Sequence, residues 1–116
     1  MKLSILTLIF ISLIPFKNKL LGTWETRPSE KGNITRVIFN KDNTHEVFIN
    51  KKPFLNGEYH LKGNIMTLKE NGCGGSEGVY KLIFFSGTDS LRFQLISDTC
   101  TNRKTGMQRI VLGRVK

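Results

Sequence analysis

Apolar and polar positions alternate with a period of two through most of this chain, in short runs broken by turn-forming residues. Val37 and Phe39 share one face against Arg36 and Ile38, and Leu91, Phe93 and Leu95 lie opposite Arg92 and Gln94. Ile65 and Thr67 alternate with Met66 and Leu68. Successive side chains of a strand point to opposite faces, so such runs read as half-buried strands. Eight are predicted, over residues 22–27, 33–40, 44–50, 54–61, 64–70, 77–85, 90–96 and 107–115. No long segment beyond residue 20 carries the i, i+3, i+4 spacing of a helix. The stretch 79–85 is apolar on both faces, which fits a strand covered on its outer side.

The breaks have turn chemistry. Asn40-Lys41-Asp42-Asn43, Gly63-Asn64 and Ser86-Gly87-Thr88-Asp89 supply residues that tolerate positive φ or bond their own backbone. Pro28 and Pro53 are placed in loops, where a missing N–H does no harm. Eight consecutive hairpin-linked strands predict an all-β, antiparallel up-and-down barrel, a closure that leaves no sheet edge exposed. A two-sheet sandwich meets the same pattern and is the alternative. The interior candidates Phe39, Phe48, Tyr59, Phe84 and Phe93 are bulky, which points to a mostly filled barrel with a small cavity.

The first residues stand apart. Met1-Lys2 precedes a nearly unbroken apolar run through Phe16. That run is shorter than the roughly 18–20 residues of a spanning helix and reads as an export leader. The alternative is an uncleaved anchor, which would be the only integral membrane element. No Cys follows the run, as a bacterial lipoprotein would require. The expected division is a leader over 1–19 and one domain over 20–116, exported to the periplasm, the cell envelope or the medium.

Export changes how charge and cysteine are read. The leader holds Lys2, Lys17 and Lys19 of the 18 basic residues and none of the nine acids, leaving 15 against 9, a net +6. That favours anionic partners in general terms, while the dispersed basic residues and the leader argue against nucleic acid. Cys73 and Cys100 are the only cysteines, and in an oxidising compartment they are expected to pair. No C-x-x-C spacing supports a redox pair, and two free thiols are the remaining alternative.

Three pieces of sequence resemble the bacterial lipocalin-like domains of small exported proteins. They are Leu21-Gly22-Thr23-Trp24; the hairpin segments Phe39-Asn40-Lys41-Asp42-Asn43, Gly57-Glu58-Tyr59 and Gly78-Val79-Tyr80; and Cys73 with Asp98-Thr99-Cys100-Thr101-Asn102-Arg103. Together they cover nearly all of 20–116. The resemblance implies a meander around a central cavity and no enzymatic activity. The chain is shorter than a typical ligand-carrying lipocalin and has no long segment for that family's C-terminal helix.

In an up-and-down barrel the connections after strands one, three, five and seven share an end. Cys73 and Cys100 fall in two of these, so the bridge fits the topology. Trp24 begins strand one at the opposite, closed end, where the last strand also finishes. Arg114 is best placed to lie over its ring in a cation–π contact, similar to the lipocalin arrangement and structural in role.

Candidate chemistry is sparse. His45 and His60 are the only histidines and fall on neighbouring strands, but a metal would need a third ligand. Both are read as solvated surface residues, with no metal and no cofactor. No nucleophile or phosphate-loop motif is present, so no enzyme is expected. Asp98 and Arg103 are read as an exposed ion pair beside the bridge. Lys51, Lys52 and Arg103 form a basic rim at the open end, around walls of Phe39, Phe48, Tyr59, Phe84 and Phe93. The expected function is binding of a small apolar or amphipathic anion. The alternative is a non-enzymatic protein-interaction module, an exported inhibitor or envelope-associated scaffold, with a filled barrel.

Overall fold

Period-two patterning and short turns leave each strand one hydrogen-bonding neighbour on either side, and the chain satisfies every edge by closing on itself. The computed structural model describes residues 15–116. Eight strands run β1 (Gly22–Glu25), β2 (Thr35–Phe39), β3 (Thr44–Ile49), β4 (Lys52–Lys62), β5 (Ile65–Glu70), β6 (Glu77–Phe85), β7 (Ser90–Asp98) and β8 (Val111–Arg114). They form a closed antiparallel barrel in sequence order. Closure comes from Trp24 opposite Arg114 and Glu25 opposite Gly113. The inward faces meet in one core that includes Trp24, Phe39, Tyr59, Met66, Tyr80 and Leu91.

Two helices were not expected. α1 (Phe16–Leu20) lies at the closed end, and α2 (Thr101–Arg109) lies between β7 and β8 at the other. The eighth strand therefore starts at Val111 and not at Met107, because 107–109 complete α2.

α1 packs as part of the barrel. Leu20 is fully buried and its carbonyl accepts a hydrogen bond from Trp24 Nε1 at 2.8 Å. Phe16 stacks on Phe84, 6.3 Å between ring centroids, and Lys17 Nζ donates to Asn43 Oδ1 at 2.7 Å. Arg114 lies 4.3 Å from the Trp24 ring and donates to the carbonyls of Leu21, Lys19 and Thr88. One guanidinium thus ties α1, the β6–β7 turn and the end of β8 together over the tryptophan. The expected boundary after residue 19 falls inside α1, and most of the leader, residues 1–14, lies outside the described residues. Because Phe16 is half-buried, Phe16→Ala is expected to cost about 1–2 kcal/mol. A urea midpoint unchanged by that substitution would show that α1 adds nothing to the fold.

Two β-bulges shift strand parity. Between Val47 and Phe48 the partner on β4 jumps from Leu55 to Pro53, leaving Phe54 extra and 61% exposed. Pro53 is therefore in β4 rather than a loop, at an irregularity that accommodates its missing N–H. The β3–β4 turn is only Asn50-Lys51, both at positive φ (52° and 70°), the conformation a two-residue hairpin favours. On β7 the partner of Val79 is Ser97 and that of Tyr80 is Leu95, so Ile96 is extra. Leu91 and Phe93 are buried on strict alternation, and the bulge then turns Asp98 inward with them.

Candidate functional site

The end opposite Trp24 is built from the β1–β2, β3–β4 and β5–β6 connections and α2. Cys73, in a 3-10 turn over Asn71–Cys73, is bonded to Cys100, the residue before α2, with Cα atoms 5.9 Å apart. The bridge pins the start of α2 to that turn. Met107 and Ile110 pack against the core, and Arg103 is buried between α2 and the barrel.

Beneath α2 the barrel holds a cavity of about 580 Å³ that opens to solvent. Its walls include Val37, Phe39, Val47, Met66, Leu68 and Phe93, with Met107 from the helix and Ile110 just after it. Phe54 reaches it from the exposed β4 bulge, marking the side on which it meets solvent. This is more space than the mostly filled interior expected from the aromatic count.

The wall is not wholly apolar, because His45, Glu70 and Arg103 also line it. His45 faces Gly57 across β3–β4, and Gly57 faces Glu70 across β4–β5. The missing side chain at Gly57 opens a path over the middle strand, and His45 Nε2 meets Glu70 Oε2 at 2.8 Å. A Cβ at Gly57 would lie 2.9 Å from Glu70 Cγ and 2.1 Å from the Lys69 carbonyl oxygen. Gly78 has the same role opposite Asp98, since its Cβ would lie 2.6 Å from Asp98 Oδ2 and 2.9 Å from Arg103 Nε.

Arg103 joins the two acids. Nε donates to Asp98 Oδ2 at 2.8 Å and Nη2 to Asp98 Oδ1 at 2.9 Å, a two-pronged pair, while Nη2 also donates to the Ser76 carbonyl at 3.1 Å. Nη1 lies 3.6 Å from Glu70 Oε1, beyond hydrogen-bond range. Tyr80 Oη donates to Asp98 Oδ2, and the Cys100 N–H donates to Asp98 Oδ1 at 2.9 Å. Burial opposes ionisation of Asp98, but the bonds from Arg103, Tyr80 and Cys100 outweigh it and hold its carboxyl at about 2, below the usual 3.8. Bonding to Asp98 pushes the Arg103 guanidinium up, and burial followed by the Asp98 bond pushes the Tyr80 phenol up.

A carboxyl depressed on folding stabilises the fold above its unfolded value and loses that contribution as pH falls through the folded one. For Asp98 the window is from about 4 down to about 2, and the contribution is about 2 kcal/mol. Urea midpoints measured between pH 7 and pH 2 are expected to fall in that window, and Asp98→Asn to flatten that part of the curve. An equally steep fall in the variant would assign the acid sensitivity elsewhere.

The sequence-derived site residues divide. Phe39 and Phe93 line the cavity. Tyr59 is buried in the core, edge-on to Phe39, with its hydroxyl donating to the Asn40 carbonyl at 2.7 Å, and is not a wall. Phe84 packs at the closed end between Phe16 and Trp24. Phe48 is corrected: it pairs with Arg36 and alternates with the cavity residues Val47 and Ile49, so it faces outward. Lys51 and Lys52 are exposed in and beside the hairpin turn and do not line the cavity. Arg103 is not a rim residue, because its guanidinium is buried and committed to Asp98, so their pair is not the exposed one expected. His45 is buried, contrary to the surface reading, whereas His60 is exposed. Gly57 was the available signal for His45, since a strand glycine opposite a polar residue leaves room for that residue to turn inward.

Among the described residues no cluster of three or more His, Cys, Asp or Glu side chains is arranged to hold a metal ion. No described helix is long and apolar enough to cross a membrane. What fold and site define is an eight-stranded closed barrel, disulfide-clipped, with an apolar cavity and a buried ionic network under one helix. Comparison with protein-family models and with curated proteins finds no match to this chain.

Proposed function

We propose that this chain is a small exported lipocalin-like binding protein that holds a largely apolar small molecule in its barrel and does no catalysis. The observation that carries this reading is the cavity of about 580 Å³, within the roughly 300–1,000 Å³ of small-molecule sites. Apolar walls supply affinity by removing ligand surface from water. The buried polar groups that reach the space, His45, Glu70 and Arg103, form one cluster, with the less buried Thr35, Asn102 and Arg109 elsewhere on the wall, and a few such groups are how sites of this kind fix orientation. The buried ionisable groups there, His45, Glu70 and Arg103, face one another and Asp98, which supports binding over acid–base chemistry. The disulfide accords with an oxidising compartment and so with export.

The test is native mass spectrometry of the chain recovered from an exporting host. An adduct of small-molecule mass, released on denaturation and identified as apolar, is the expected result. A bare protein mass, with a protein partner recovered by crosslinking in place of a small molecule, would replace this reading with the interaction-module alternative.

A further inference from the structure

Two buried polar atoms have no hydrogen-bond partner among the described residues: His45 Nδ1 and Arg103 Nη1. Both belong to residues that line the cavity, and both residues flank the Glu70 carboxylate. Buried donors and acceptors left unpaired are costly and uncommon, and a ligand that completes them gains what they lack.

We propose that the cavity selects a neutral molecule with an apolar body and a head that both donates and accepts a hydrogen bond, an alcohol or a primary carboxamide. This rests on the cavity being a ligand site. Charge decides against an ionic head. Asp98 already matches the Arg103 charge through two hydrogen bonds, and Glu70 adds a second buried negative charge. A ligand carboxylate at the His45–Arg103 end would sit beside Glu70, away from the other lining cation, Arg109, which is exposed at the end of α2, and an ammonium would face the guanidinium. Hydrogen-bond sense then sets the head. We place the single His45 ring proton on Nε2, donating to Glu70 Oε2, which leaves Nδ1 an acceptor. Arg103 Nη1 can only donate. A hydroxyl or a carboxamide answers both, with Phe39, Val47, Met66, Leu68, Phe93 and Met107 around the apolar body.

The experiment is calorimetric titration of the oxidised full chain with benzene and with four eight-carbon probes: 1-octanol, octanamide, octanoate and octylammonium. The alcohol and the amide are expected to bind at least about tenfold more tightly than either ion. In His45→Phe, which keeps an aromatic ring beside Phe39 and Tyr59, the alcohol is expected to lose most of that advantage while benzene binds as before. Octanoate binding as tightly as octanol would overturn the head-group inference and leave the cavity reading standing. Unchanged octanol affinity in His45→Phe would overturn the role given to His45. No binding of benzene or of any other probe would remove the cavity reading itself.

Discussion

Replacing Arg103 by methionine is expected to cost the barrel about 3–5 kcal/mol, seen as a large drop in the urea midpoint at neutral pH. Methionine keeps much of the aliphatic bulk and removes the charge. The Arg103 side chain is 4% exposed, and it is the cation between two carboxyls that are 0% (Asp98) and 8% (Glu70) exposed. Without it both must stay ionised without a counter-charge, take up a proton, or draw in water, and each course weakens the fold. Arg103→Lys is expected to recover only part of the loss, because an ammonium cannot reproduce the two-pronged contact with Asp98. The double variant Arg103→Met with Asp98→Asn separates the pair from its parts. Losses that simply add would mean the two side chains act independently, contrary to their geometry.

Removing the disulfide, by reduction or by Cys73→Ala with Cys100→Ala, is expected to cost about 2–5 kcal/mol. The cysteines are 27 residues apart, so the bridge restricts a long stretch of the unfolded chain. It also has a local target. Cys100 precedes α2, and that nine-residue helix is weak by itself: no side chain caps its start, and Gly106 lowers its helix propensity. Hydrogen exchange is therefore expected to show α2 amides losing protection on reduction before those of β5–β7. Equal midpoints with and without reductant would mean the bridge is incidental to stability.

The strands were legible because alternation in β2, β5, β6 and β7 is strong and the turns carry Gly, Asn and Asp at the right places. Trp24 and Arg114 were legible because the up-and-down order brings the start of β1 and the end of β8 to one end. α2 was not. Its cavity-side positions Arg103, Gly106 and Met107 have helical spacing, but two of the three are arginine and glycine, so no hydrophobic stripe marks it. α1 was absorbed into the apolar leader that precedes it. The polar part of the site was hidden by parity and by space. The β7 bulge reverses the face on which Asp98 falls, and Gly57 and Gly78 make the room that lets His45, Glu70 and Arg103 turn inward. Phe48 was placed inside by alternation read one register off, and on β3 Val47 and Ile49 hold that face.

The cavity itself carries two reporters. Met66 on β5 and Met107 on α2 both line it, and the chain's only other methionine is Met1. The most direct measurement is therefore the NMR spectrum of the full chain with ¹³C-labelled methionine methyl groups, titrated with the apolar probe N-phenyl-1-naphthylamine. Met66 and Met107 are expected to shift together along one saturable curve, as a ligand held between barrel and helix requires. Methyl signals of Met66 and Met107 that stay fixed while the probe is bound elsewhere would contradict the claim that this barrel is built to hold a small molecule.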